Sequence, residues 1–147
     1  MGVTVQSSKS KLDMSYFGFA RLRRDIAYMA DIELGMQYEK GLHVHTPEEA
    51  ECFVTEVAEL MQAYTLVHGQ RPGKIADFLF AEDCGGSVTY GCCQELLKVL
   101  TASDDREKQF AYTVYGYAGW GENAARGEDF IRLLRECVDA KKPLRWD

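Results

Sequence analysis

A chain of 147 residues that is 46% hydrophobic and 27% charged has the size and composition of one globular domain, able to bury a core without disulfides or metal. Aromatic residues make up 12% and prolines number three, which excludes a disordered or proline-rich chain. The formal charge of -6 and a pI near 5.1 argue against a nucleic-acid partner, because phosphate contacts need clustered Lys and Arg.

In chain order, residues 1–12 form a largely polar run with Ser7, Ser8 and Ser10 and are expected to be a mobile lead-in to a helical domain spanning 13–147. With Asp13 or Ser15 as cap, Phe19, Leu22, Ile26 and Met29 recur at helical spacing and predict an amphipathic first helix. On it, Arg21 and Asp25 are placed to pair at four residues' separation. A second pattern runs from Asp31 to Lys40 and should stop at Gly41.

Thr46-Pro47-Glu48-Glu49 is the strongest local signal: a capping hydroxyl, a proline whose missing N–H is harmless, and acids favoured by the positive helix end. Phe53, Val54, Val57, Leu60, Met61 and Tyr64 then mark a long face ending at Gly69, expected to be the central plank of the core, so that Val57→Asp should collapse the domain. Ile75, Phe78 and Leu79 suggest a short helix before the Asp83-Cys84-Gly85-Gly86 turn. Thr89 caps a helix with Cys93, Leu96 and Leu100 inward, and Ser103 or Asp104 starts another.

Residues 107–118 fit a helix through Phe110, Val114 and Tyr117 and a strand through the alternation Phe110, Tyr112, Val114; helix is preferred. A final helix near Gly127 to Asp139 presents Phe130, Leu133, Leu134 and Cys137, and Pro143 turns Leu144 and Trp146 back as an extended tail. The expectation is an all-α single-domain bundle of five to seven amphipathic helices.

Charge is unevenly placed: Lys9, Lys11, Arg21, Arg23 and Arg24 make the start basic, whereas Asp31 to Glu59 carries eight carboxylates against the single Lys40. Such faces are either solvated helix surfaces or a docking surface. Five cysteines, an odd number with no apolar signal segment, point to reduced thiols in the cytoplasm. No run is long and apolar enough for a membrane span.

No stretch names a reaction. Cys92, in the first turn after Thr89, is the candidate nucleophile if His43 or His45 comes close enough to act as base. His43, His45, Cys84, Cys92 and Cys93 are zinc-ligand types, but His-x-His and adjacent Cys-Cys are not structural zinc spacings, so neither metal nor cofactor is assigned. Aligning Gly86 with the glycine of a calcium loop leaves Asp83 as the lone carboxylate, with Ala81, Gly85 and Cys92 at other ligand positions. Tyr115, Tyr117 and Trp120, on a segment broken by Gly116, Gly119 and Gly121, either form a contact surface or plug the core.

The pattern Phe80-Ala81-Glu82-Asp83-Cys84-Gly85-Gly86-Ser87-Val88, followed by Cys92, Leu96 and the segment Phe130 to Trp146, resembles a group of uncharacterised small bacterial helical proteins. They carry an Asp-Cys-Gly-Gly or Asp-Cys-Asp-Gly turn before a helix, then a final helix and a Pro-Leu tail. The resemblance covers about the second half of the chain and implies no activity. The functional expectation is a small cytoplasmic interaction or accessory protein binding another protein through charged helix faces and the aromatic loop. The alternatives are a thiol enzyme built on Cys92 and a zinc module.

Overall fold

Val3 and Val5 alternate with Thr4 and Gln6, and Leu12 and Met14 alternate with Lys11 and Asp13, which is the period of a strand with one buried face. In the computed structural model, which describes residues 2–68, 74–82, 85–117 and 124–147, these segments are strands. The elements are β1 (Gly2–Gln6), β2 (Lys11–Ser15), α1 (Tyr16–Ala30), α2 (Ile32–Leu42), α3 (Pro47–His68), α4 (Ile75–Leu79) and β3 (Gly86–Val88). They continue with α5 (Tyr90–Leu100), α6 (Asp104–Tyr112), β4 (Val114–Tyr117), β5 (Ala124–Arg126), α7 (Gly127–Ala140) and β6 (Leu144–Trp146).

Four strands form an antiparallel sheet in the order β2-β1-β6-β3, with Val3 opposite Met14 and Val5 opposite both Leu12 and Trp146. One face buries Val3, Val5, Leu12, Met14, Val88, Leu144 and Trp146. Helices α1, α5 and α7 supply the other side of this core through Phe19, Leu22 and Ile26, through Cys93, Leu96 and Leu100, and through Phe130, Leu133, Leu134 and Cys137. Each set repeats at three and four residues, as a helix covering a sheet requires. The opposite face of the sheet carries Lys11, Asp13, Ser87 and Arg145 to solvent.

The expected all-α bundle is therefore corrected to a mixed α/β fold, with two sheets accompanying the helices. Residues 2–12, within the segment expected to be mobile, form the inner strand β1, the turn after it and the start of β2. Ser7 and Ser10 donate from that turn to the Glu136 carboxylate of α7 at 2.5 and 2.9 Å. The preferred helix over 107–118 ends at Tyr112, and β4 pairs antiparallel with β5. Here Gly18 decides the packing: a Cβ at that position would strike the Tyr115 carbonyl oxygen, so its absence lets β4 lie against α1.

Helix α3 starts as expected, with the Thr46 hydroxyl accepting the Glu49 N–H at 3.1 Å, but it is not the central plank. None of its described side chains is buried; Phe53, Val57, Leu60 and Met61 are half-buried, Leu60 and Met61 against the core and Phe53 against the Phe80 ring. Gly41 does not end α2. It lies within the helix, where an added Cβ would come within 2.7 Å of the Phe53 ring, so the missing side chain seats α3 on α2.

A cation sits inside the core. Arg23 is 1% exposed, its guanidinium lies 4.3 Å from the Phe19 ring centre and 5.3 Å from that of Trp146, and Nη1 donates to the Ala81 carbonyl at 2.9 Å. Desolvated cation–π contacts contribute about 2 kcal/mol. The Trp146 indole N–H donates to the Glu82 carbonyl at 2.8 Å, so α1 and β6 both hold the start of the glycine turn.

Candidate functional site

Among the described residues, two surface clefts are lined by accessible polar side chains. The first follows from how α1, α6 and β4 meet. Ser15 caps α1 by accepting the Gly18 N–H at 2.9 Å, and Ser103 caps α6 by accepting the Arg106 N–H at 3.2 Å. At the far end of α6 the Thr113 hydroxyl donates to the Gln109 carbonyl at 2.8 Å as the chain enters β4.

Between these elements lies a cleft of about 350 Å³, with Asp25, Tyr28 and Met29 on the α1 wall, Arg106, Gln109 and Phe110 on the α6 wall, and Thr113 and Tyr115 along β4. Asp25 meets the Arg24 guanidinium at 3.6 Å and accepts the Tyr115 hydroxyl at 2.5 Å, while Arg21 lies over the Tyr115 ring at 6.0 Å. Asp25 thus binds a tyrosine from a distant strand, where an Arg21 pairing had been expected. Burial, reinforced by the Asp25 carboxylate, holds the Tyr115 hydroxyl well above the ordinary tyrosine range, so it stays a donor. Arg106 is fixed across the gap by donating to the Met29 carbonyl at 3.0 Å, and Tyr28 donates to Glu39 of α2, which raises its pKa.

The second cleft, about 340 Å³, runs between the end of α2 and the start of α3. Val44, Cys52 and Phe53 give it an apolar lining, and Lys40, His43, Glu48, Glu49 and Glu56 give it charge or polarity. Lys40 reaches Glu56 at 3.5 Å and the His45 N–H donates to Glu49 at 3.0 Å. Ile32, Met36 and Lys40 are four residues apart, so they form one row along α2 leading to the cleft. Ile32 is 67% and Met36 57% exposed.

The sequence candidates fall apart in space. Cys92 is buried, donates its thiol to the Lys74 carbonyl at 3.0 Å, and has its pKa pushed up to about 12, first by burial and then by Asp77 and Glu95. His43 and His45 are exposed at the α2–α3 connection, and His43 shares its cleft with Cys52. Thus the structure does not bring either histidine to Cys92.

Cys93 and Cys137 are buried against each other, and their hydrogen bond together with burial raises the Cys93 pKa. Cys84 and Trp120 lie outside the described residues, as does the side chain of Tyr117. Among the described residues no group of three His, Cys, Asp or Glu side chains is arranged to hold a metal ion, and no helix is long and apolar enough to cross a membrane.

No protein-family model, curated protein or solved structure matches the chain. The chemistry of the clefts therefore rests on their own residues. Of the aromatic candidates, Tyr115 is 1% exposed and stands among the residues lining the α1–α6 cleft. Sequence reasoning missed Asp25, Arg106, Cys52 and Phe53 as site residues. For the last two a signal existed, because Cys52 and Phe53 follow the acidic first turn of α3 and carry thiol and ring beside it. Asp25 and Arg106 are 81 positions apart and share no local pattern.

Proposed function

We propose that this protein is a small interaction or accessory protein, and that α2 and α3 form its docking face for a basic, amphipathic segment of a partner protein. The exposed row Ile32–Met36, running into a cleft rimmed by Glu48, Glu49 and Glu56, carries the reading. Exposed apolar side chains reward coverage, and carboxylates around them select a partner bearing Lys and Arg while repelling phosphates. Among the described residues Cys52, Cys92, Cys93 and Cys137 are free thiols, which supports a cytoplasmic setting.

The test compares wild type with an Ile32→Lys/Met36→Lys variant whose circular dichroism matches it. The titrant is a fluorescent helical peptide of leucine and lysine, with a leucine–glutamate peptide as control. The expected result is saturable binding of the cationic peptide by wild type, weakened by added salt and at least tenfold weaker in the variant. Equal binding by both proteins, preference for the acidic peptide, or no binding of either peptide overturns the reading.

A further inference from the structure

The α1–α6–β4 cleft is independent of that docking face, and its walls carry opposite charges. Asp25 stands on α1, held by the Tyr115 hydroxyl at 2.5 Å. Arg106 stands on α6, held by the Met29 carbonyl at 3.0 Å. Both line the same space, yet Arg106 is spent on a backbone carbonyl and Asp25 on Tyr115 and Arg24, not on each other. A guanidinium bound to one carbonyl keeps further N–H donors, and a carboxylate accepting one hydroxyl keeps further lone pairs. Between them, the exposed Tyr28 ring and the half-buried Met29 line the cleft, backed by the buried Phe110 and Tyr115.

We propose that this cleft binds a small zwitterion with an apolar side chain, a free α-amino acid in chemical class. The carboxylate of the ligand would pair with Arg106, its ammonium with Asp25, and its side chain would cover Tyr28 and Met29. Two charges held on opposite walls match a dipolar ligand better than a simple anion or cation, since either of those leaves one wall charge facing its like. Size agrees: about 350 Å³ lies at the lower end of the range for small-molecule sites. Preorganisation also favours it, because both charged groups are fixed by tertiary hydrogen bonds before any ligand arrives.

Calorimetric titration of the full chain with L-leucine and L-phenylalanine is the test, with glycine, N-acetyl-leucine and leucinamide as probes lacking the side chain, the ammonium and the carboxylate respectively. Expected are saturable binding of leucine or phenylalanine, loss with all three probes, and at least tenfold weakening in Arg106→Gln. Arg106 is exposed, so that variant should keep its helical circular dichroism. No heat with either amino acid at millimolar concentration, binding of N-acetyl-leucine or leucinamide as tight as that of leucine, or unchanged affinity in a folded Arg106→Gln protein each overturns the proposal.

Discussion

At Cys92 the thiol is enclosed and donates to the Lys74 carbonyl, and a pKa pushed up to about 12 leaves a thiolate fraction on the order of 10⁻⁵ at neutral pH. Cys52 is exposed at the mouth of the α2–α3 cleft, whereas Cys93 and Cys137 are buried. Brief iodoacetamide treatment of the native protein should therefore label Cys52 and spare Cys92, Cys93 and Cys137 until denaturant is added. Peptide mass spectrometry reads the outcome, and rapid native labelling of Cys92 would restore it as a nucleophile candidate. Residue types alone favour Cys92 because it follows a helix cap, and Thr89 does accept the Cys92 N–H at 3.3 Å. What the local pattern omits is the layer of side chains above the helix, which sets the desolvation that governs the thiol.

Among the elements, the β1–β2 hairpin shows how a polar segment becomes ordered. Val3 and Val5 fill the core face, while Ser7 and Ser10 give their hydroxyl protons to Glu136 on α7. The hydrogen bond from Ser7 is the largest influence lowering the Glu136 pKa, with Ser10, Arg132 and Lys9 acting in the same direction against partial burial. A carboxylate whose folded pKa is depressed stabilises the fold above its unfolded pKa, and that contribution fades as pH falls through the folded value. Glu136→Ala should thus lower stability by about 1–3 kcal/mol at neutral pH, with a gap to wild type that closes on acidification through the carboxylate range. Thermal melts across that range test the linkage; a gap independent of pH would mean that Glu136 acts by packing alone. The hairpin was legible as alternation at Val3/Val5 and Leu12/Met14, but each strand holds only five residues and the serine turn reads equally as a loose terminus.

For the molecule as a whole, the core lies between the four-stranded sheet and α1, α5 and α7, and α3 rides outside it. Val5 is 0% exposed in the strand flanked by β2 and β6, whereas Val57 is half-buried on α3. Val5→Asp buries an unpaired charge and should unfold the domain, a loss above about 4 kcal/mol. Val57→Asp should cost about 1–2 kcal/mol and leave a cooperative transition in urea, because its new carboxylate can turn toward water. Complete unfolding of Val57→Asp would place α3 in the core after all.

The sequence by itself determined what operates within about one helical turn. The caps at Ser15, Thr46, Thr89 and Ser103, the apolar stripes of α1, α5 and α7, and the return of the tail after Pro143 all depend on residues at most four apart. Tertiary structure alone decided that a mixed α/β fold replaces a bundle, because β1 is completed by Trp146 from the opposite end of the chain and no local pattern records that partner. It also decided that His43 shares a cleft with Cys52, and that Asp25 and Arg106 line another. Those juxtapositions arise from packing α1, α2, α3, α6 and β4 around shared apolar surface, a choice made by burial across the whole domain and not by neighbours in sequence.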